Sequence, residues 1–380
     1  MSDLLTTSDL RPGRTRPTAV EHLIVGNGPS SVLAAVALQA EGASPILISQ
    51  DLLGMLRPTV SVAGGTTDPF SVVPIFPPMS HLPSLLPGES LPPLETRFFD
   101  GDAAQTPSDP NRYPPECFAS FAREAGDSTL ILSRKQYGDR IFREPLNGVR
   151  NKVRRSYLAG PRLSRAGFRD GLSPYVASTV RMSREIEIVD DAIVGLSSEP
   201  RKATLRSGLT VGFRHLIWTL PITHLARLVK IPLGSPPCAP AEFVASRVRA
   251  AMPTDTLIYD LRLDSPVLRC ISPRPGICVA QLSMMPSVQS RDMIERLRVC
   301  QVALADIFDI PLGAFGEAEA HSYQMAYPIE PVSEGSKEMI AAACHLYGVY
   351  LFGRFATWSY DDLHELDWEG LKALAPEESA

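Results

Sequence analysis

His22-Leu-Ile-Val-Gly26-Asn-Gly28-Pro29-Ser30-Ser31-Val-Leu-Ala-Ala-Val-Ala-Leu38, followed by Pro45-Ile-Leu-Ile-Ser49, is the stretch that decides the fold. A short apolar run meets a glycine-rich turn, a helical alternation follows, and a second apolar run closes the unit within about thirty residues. The reading is strand, turn, helix, strand. Gly26 permits the turn and Gly28 lets backbone approach a pyrophosphate, while Pro29, Ser30 and Ser31 open a helix whose free amides and dipole favour negative charge. The pattern departs from the usual dinucleotide fingerprint at two places. Ser31 stands where a third glycine is common, and Ser49 stands where an acid usually holds a ribose, forgoing a charge-assisted hydrogen bond of about 1.5–3 kcal/mol. Asp51, two residues on, is available as a substitute. An ordinary strand-to-helix turn, or a site that binds its nucleotide loosely or has lost it, would share the spacing.

Working outward, the chain of 380 residues, with 44% hydrophobic and 21% charged residues, is long enough for one large or two moderate cores. A net charge of −5 gives no broad positive field for nucleic acid or an anionic membrane. The six cysteines (Cys117, Cys238, Cys270, Cys278, Cys300, Cys344) form no C-x-x-C pair, so reduced thiols and a cytoplasmic location are expected. Residues 1–19 lack a signal-peptide core and read as a flexible tail. No apolar run reaches the roughly 18 residues of a membrane span. The 35 prolines cluster between Pro58 and Pro115, which predicts an irregular excursion without long helices or central strands.

Further along, Glu185-Ile-Glu-Ile-Val189 reads as a return to the parallel sheet. Ala192–Ser197, Lys202–Arg206 and Leu209–Phe213 read as an antiparallel meander, and His215-Leu-Ile-Trp-Thr219-Leu220 as a core strand before a Pro-initiated helix from Ile222 to Val229. A second antiparallel layer is predicted over Asp255–Leu263, Pro266–Ile271 and Gly276–Met284, followed by a helix near 291–308. A helical segment Lys337–Leu346 leads to the strand Val349-Tyr-Leu-Phe352, then to Gly353-Arg354-Phe-Ala-Thr-Trp358-Ser-Tyr360-Asp-Asp362-Leu363 and a last helix to about Leu374, capped by Asp361 or Asp362.

Three of these blocks, Gly26–Ser49, Glu185–Pro221 and Gly353–Leu363, together with Tyr327-Pro328-Ile329, make the chain similar to the flavoproteins grouped around amine oxidases, protoporphyrinogen oxidase and UDP-galactopyranose mutase. The C-terminal block is the most mutase-like. The resemblance implies an α/β fold: a Rossmann-like FAD-binding domain of glutathione-reductase type, from 20–60, 181–232 and 335–380, and a discontinuous α+β substrate domain from 61–180 and 233–334. It implies FAD as cofactor, held by Gly26, Gly28, Pro29, Ser30, Ser31, Ser49, Asp51, Ile193 at the adenine, Thr219, Gly353, Arg354, and the Asp362 and Leu363 amides facing the electron-rich edge of the flavin. The Gly-Gly-Arg segment usual after the second strand is replaced by Asp51-Leu-Leu-Gly-Met-Leu-Arg57, and the family's aromatic-Pro-Lys-Gly-Gly signature is missing.

The site chemistry expected on this basis places Arg354, Tyr327, Tyr360 and His364 in catalysis, with Trp358, Arg154 and Arg155 on substrate. Arg154 and Arg155 belong to an arginine-rich run, Arg150 to Arg169, suited to a phosphorylated or carrier-linked substrate or equally to a solvated face pairing with acids. The aromatics equally suit a core strand, and His364, like His81, a structural place. The histidines have no metal spacing, so no metal is expected, and Gly-x-Ser-x-Gly is absent, which removes an ordinary hydrolase. No second strand–Gly-x-Gly–helix unit provides for NADPH. Three functions remain: an amine-oxidase-like FAD oxidoreductase acting on a small or carrier-linked metabolite, in biosynthesis or specialised metabolism; a non-redox, mutase-like enzyme using reduced FAD on an anionic or nucleotide-sugar substrate; and a flavin-free binding or partner subunit. Oligomeric state does not follow from the sequence.

Overall fold

The computed structural model describes residues 19–50, 60–62, 65–67, 93–101, 118–124, 126–142, 165–166, 186–234, 236, 238–254, 256–329, 332–361 and 365–375. In chain order the strands are β1 (Ala19–Val25), β2 (Ile46–Ile48), β3 (Val60–Val62), β4 (Gly65–Thr67), β5 (Pro93–Phe99), β6 (Arg165–Ala166), β7 (Glu187–Val189) and β8 (Ile193–Ser198). They continue with β9 (Arg201–Leu205), β10 (Thr210–Trp218), β11 (Cys238–Val248), β12 (Thr256–Asp260), β13 (Val267–Arg274), β14 (Ile277–Leu282), β15 (Phe315–Pro328) and β16 (Val349–Leu351). The helices are α1 (Pro29–Ala40), α2 (Phe118–Glu124), α3 (Asp127–Tyr137), α4 (Ile222–Leu228), α5 (Pro286–Gln289), α6 (Met293–Ile307), α7 (Glu334–Tyr347) and α8 (Trp368–Lys372).

The first sheet runs β7-β2-β1-β10-β9-β8, with β16 also paired to β10. Its parallel half joins β7, β2, β1, β10 and β16, with the opening unit β1–α1–β2 and the return of β7 as expected. One expectation needs correction: Leu209–Phe213 and His215–Leu220 are not two strands. They form the single strand β10, whose first residues pair antiparallel with β9 and whose later ones pair parallel with β1 and β16. Gly212 and Phe213 join the halves because β10 faces different neighbours along its length, which periodicity does not report.

Helix α1 starts at Pro29, where a missing N–H costs nothing, and ends at Glu41-Gly42, where Gly42 turns to φ 81°. Every residue from Ser31 to Leu38 is buried, so the helix is enclosed rather than amphipathic. It packs in one cluster with Ile24, Leu47, Phe352, Leu366, Trp368 and Leu371, the Phe352 and Trp368 rings meeting edge to face at 4.9 Å. The last helix is α8, later and shorter than expected; its cap is Asp367, which accepts from Gly370 N, whereas Asp361 lies in the preceding turn and Asp362 outside the described residues.

The second sheet runs β15-β11-β14-β13-β12-β5-β6, antiparallel except for β12 with β5. The prolines do not exclude β5 from its interior: β5 lies between β12 and β6, with Pro93 as its first residue, a strand position at which proline is tolerated. Side chains alternate across the sheet. Phe243, Tyr259 and Val279 face α3, while Val244, Cys270, Cys278 and Leu282 face α6 with Cys300 and Leu304. Burial pushes the Cys270 and Cys278 thiols well up, and five described cysteines are free. Among the described residues no helix is long and apolar enough to cross a membrane.

Lys135 of α3 is fully buried and donates to the carbonyls of Asp260 at 2.8 Å and Arg262 at 3.0 Å, tying α3 to the end of β12. Burial pulls its ammonium down to about 8. Between pH 8 and the unfolded value of 10.5 the unfolded chain binds more protons, so stability rises with pH across that window; below pH 8 the penalty is present in full. Urea unfolding is expected to show a gain of about 3 kcal/mol between pH 8 and 10.5 that the Lys135→Met variant lacks. Equal slopes in the two proteins would remove this reading.

Candidate functional site

The parallel strands of the first sheet end in one row. Val25 is in register with Trp218 and Ile48, Trp218 with Leu351, and Ile48 with Val189. The next residues are stitched across that row: Gly26 N donates to Ile48 O at 3.1 Å, Ser49 N to Val189 O at 3.0 Å, Thr219 N to Val25 O at 2.9 Å and Phe352 N to Trp218 O at 3.0 Å. A crevice outside the carboxyl ends of parallel strands is where open α/β sheets place ligands.

Gly26, Gly28, Ser49, Thr219 and Gly353 all lie there. At Gly26 an added Cβ would fall onto Thr219 Oγ1 and 2.9 Å from Ser31 Cβ, and the Thr219 hydroxyl is held by donating to Val25 O at 2.9 Å. Here glycine serves close packing between the turn and β10. Gly28 differs: it is the N-cap of α1, extended at φ −120°, with nothing within 4 Å of an added Cβ. Its bare face, and a first helical turn with no acid, suit an anion at the helix N-terminus. Ser31 Oγ donates to Gly28 O at 2.7 Å, so the serine in place of the third glycine braces the turn instead of obstructing it. Ser49 Oγ is buried with no partner among the described residues, a hydroxyl left for a ligand's hydroxyl at the end of β2. The residues present therefore fit a dinucleotide, with a neutral serine where a carboxylate is usual.

The C-terminal block carries the row toward the second sheet. Gly353, at φ 99°, lies against Ser30 of α1, and a Cβ there would stand 3.1 Å from the Ser30 side chain. Thr357 Oγ1 donates to Gly353 O at 3.1 Å, holding the turn that follows. Arg354, next to Gly353, donates from Nε to Asp361 O at 3.1 Å and lays its guanidinium 4.9 Å from the Tyr360 ring centre and 6.0 Å from that of Tyr327.

Tyr327 and Tyr360 stack at 5.7 Å and 21°. Tyr137 from the end of α3 meets both rings edge-on, and its hydroxyl is 2.9 Å from that of Tyr360, which also accepts from Gln136 Nε2 at 3.2 Å. Burial pushes the Tyr137 and Tyr360 phenols up, so both stay protonated at neutral pH. Beneath Tyr327, Gln281 Nε2 donates to its hydroxyl at 3.1 Å, and Arg269 Nε donates to Gln281 Oε1 at 2.9 Å.

Arg354, Tyr327 and Tyr360, expected in catalysis, thus come together. Trp358 does not join them; it is buried with Ile222, Val332 and Ile340 in a separate apolar cluster. Ile193 is half-buried at the start of β8, packed against the core of the first sheet. Pro29 and Ser30 form the first turn of α1. Asp51, Arg154, Arg155, Asp362, Leu363 and His364 lie outside the described residues. Tyr137, Gln136, Gln281 and Arg269 were not anticipated, since each is one polar residue in an otherwise ordinary helix or strand.

With this geometry in view, similar solved structures identify the fold. A reduced UDP-galactopyranose mutase matches with a TM-score of 0.65 at 15% identity over 94% of this chain and 93% of that one. A putrescine oxidase double mutant redesigned in cofactor binding matches at 0.61 and 11% over 94% and 99%, and cyclohexylamine oxidase from Brevibacterium oxydans at 0.59 and 14% over 94% and 97%. The chain shares the α/β fold of these structures, a Rossmann-like architecture with a second sheet. The sequence matches no protein-family model and no curated protein.

Proposed function

We propose that the protein is a FAD-dependent enzyme acting on a small, anionic or carrier-linked metabolite, with the first sheet holding the cofactor and the second facing the substrate. The observation that carries this is the bare Gly28 N-cap at the row of strand ends, continuous through Gly353 with Arg354 and the three tyrosines. FAD, when bound, supplies a ring that accepts or returns electrons. Gly28, Ser30, Ser49 and Gly353 would hold it, on a turn that Gly26 packs against β10. Arg354, Tyr327 and Tyr360 would bind and orient the substrate beside it, and burial keeps the Tyr360 phenol neutral. Oxidation of such a substrate is the first reading.

A second, non-redox and mutase-like reading is favoured by the charge of the cluster. Two guanidiniums, Arg354 and Arg269, accompany the tyrosines, and no carboxylate side chain is among the described members of that hydrogen-bonded group. That set suits a phosphate or carboxylate better than a cationic amine.

An absorption spectrum of the purified protein, with FAD added back to any colourless fraction, tests the cofactor. Bands near roughly 370 and 450 nm are expected, as for oxidised flavin in general. A colourless protein that refuses FAD would overturn the proposal in favour of a flavin-free binding subunit. Bleaching by substrate under nitrogen with reoxidation in air supports oxidation, and turnover only after chemical reduction supports the mutase-like reading.

A further inference from the structure

The row Tyr259, Arg269, Gln281 and Phe243 crosses the second sheet on neighbouring strands, in direct register. Arg269 is 4% exposed and Gln281 fully buried, so the hydrogen bond between them is made away from water. A guanidinium has only donors. Arg269 Nε, at 2.9 Å, therefore requires the carbonyl oxygen of Gln281 on its side, which leaves the Gln281 amide nitrogen to face Tyr327 at 3.1 Å. An amide N–H only donates, so the Tyr327 oxygen is an acceptor in that bond and its own proton must point elsewhere. Among the described residues that proton meets no acceptor, although Tyr327 is 5% exposed. Its ring lies against Tyr360, with Arg354 6.0 Å away.

We propose that Gln281 is a positioning residue, locked by Arg269, that turns the Tyr327 hydroxyl into an obligate donor toward an oxyanion of the substrate. The amide acts as a polarity setter. Were its orientation reversed, Tyr327 would spend its proton on residue 281 and present a lone pair to an anion, which repels it. This rests on the reading that the Arg354–tyrosine cluster receives an anion, and adds a residue that never touches it.

The test is calorimetric titration of inorganic pyrophosphate into the full-length, FAD-treated protein and its variants. Gln281→Glu keeps an acceptor for Arg269 but takes the proton of Tyr327, so it is expected to weaken pyrophosphate binding by about tenfold or more while flavin content stays unchanged. Gln281→Met removes the lock and is expected to weaken binding about fivefold. Tyr327→Phe should have at least the effect of Gln281→Met, and the double variant Tyr327→Phe/Gln281→Met should bind no more weakly than Tyr327→Phe alone. A purely structural role for Gln281 would instead give effects that multiply. Unchanged affinity in both Gln281 variants, or multiplication in the double variant, overturns the inference and leaves the anion site standing. Failure of the unsubstituted protein to bind pyrophosphate overturns the anion reading and this inference together. Should Gln281→Met not fold, Gln281→Glu carries the test, since it leaves Arg269 satisfied.

Discussion

Replacing Gly28 with leucine is expected to give a folded protein with an unfolding midpoint close to the original, yet at least about tenfold less bound FAD. The two effects separate because Gly28 is extended at φ −120° and an added Cβ meets nothing within 4 Å. A branched side chain there obstructs only what lies beyond the protein's own atoms, which is where a pyrophosphate would sit on the amides of α1. Gly26→Ala is the control with the opposite outcome. Its methyl group collides with the Thr219 hydroxyl and Ser31 Cβ, on two side chains whose hydroxyls are held by donating to Val25 O and Gly28 O, and the expected cost is about 2–4 kcal/mol in urea unfolding. Full FAD content in Gly28→Leu would remove the nucleotide assignment of the turn.

Arg354→Ala carries the next largest effect. Its guanidinium faces Tyr360 and Tyr327 at once and is braced by the Asp361 carbonyl, so its loss takes away charge, ring stacking and the positioning of the turn after Gly353. Pyrophosphate affinity is expected to fall about a hundredfold, equivalent to about 2.7 kcal/mol, with a smaller loss of flavin. Lysine should rescue little, because an ammonium on a flexible stem does not reproduce a planar group held between ring and carbonyl. If Arg354→Ala keeps both flavin content and pyrophosphate affinity, the C-terminal block has been given the wrong role.

The opening unit β1–α1–β2 was readable because its signals are local: apolar runs, a glycine turn and an alanine-rich helix within about thirty residues. The two longest strands of the second sheet were not. β11 contains Pro240 and begins beside Pro236 and Pro237, which argues against a strand in sequence; the structure tolerates Pro240 at a register shift between Ala239 and Ala241. β15 alternates Glu317 and Glu319 with alanines along a sheet edge, so its inner face carries little hydrophobic signal. At the candidate site, Arg354, Tyr327 and Tyr360 were named through a resemblance, and the structure brings them together. Tyr137 and Gln281 lie 223 and 46 residues from the hydroxyls they meet, and no spacing rule links such positions.

The pairing of β16 with β10 also orders events in time. The row of strand ends draws on residues 19–49, then 187–219, and last on 349–353, with Arg354 and Tyr360 following. Joining β16 to β10 closes a loop of more than a hundred residues, a contact that forms late and against a considerable entropy cost. During synthesis, then, α1 and its turn are made long before the arginine and tyrosine that face them. A chain interrupted before β16 could assemble the glycine turn of α1 but not the Arg354–tyrosine cluster. Completion of the ribosome's work would set the moment at which the Arg354–tyrosine cluster is finished.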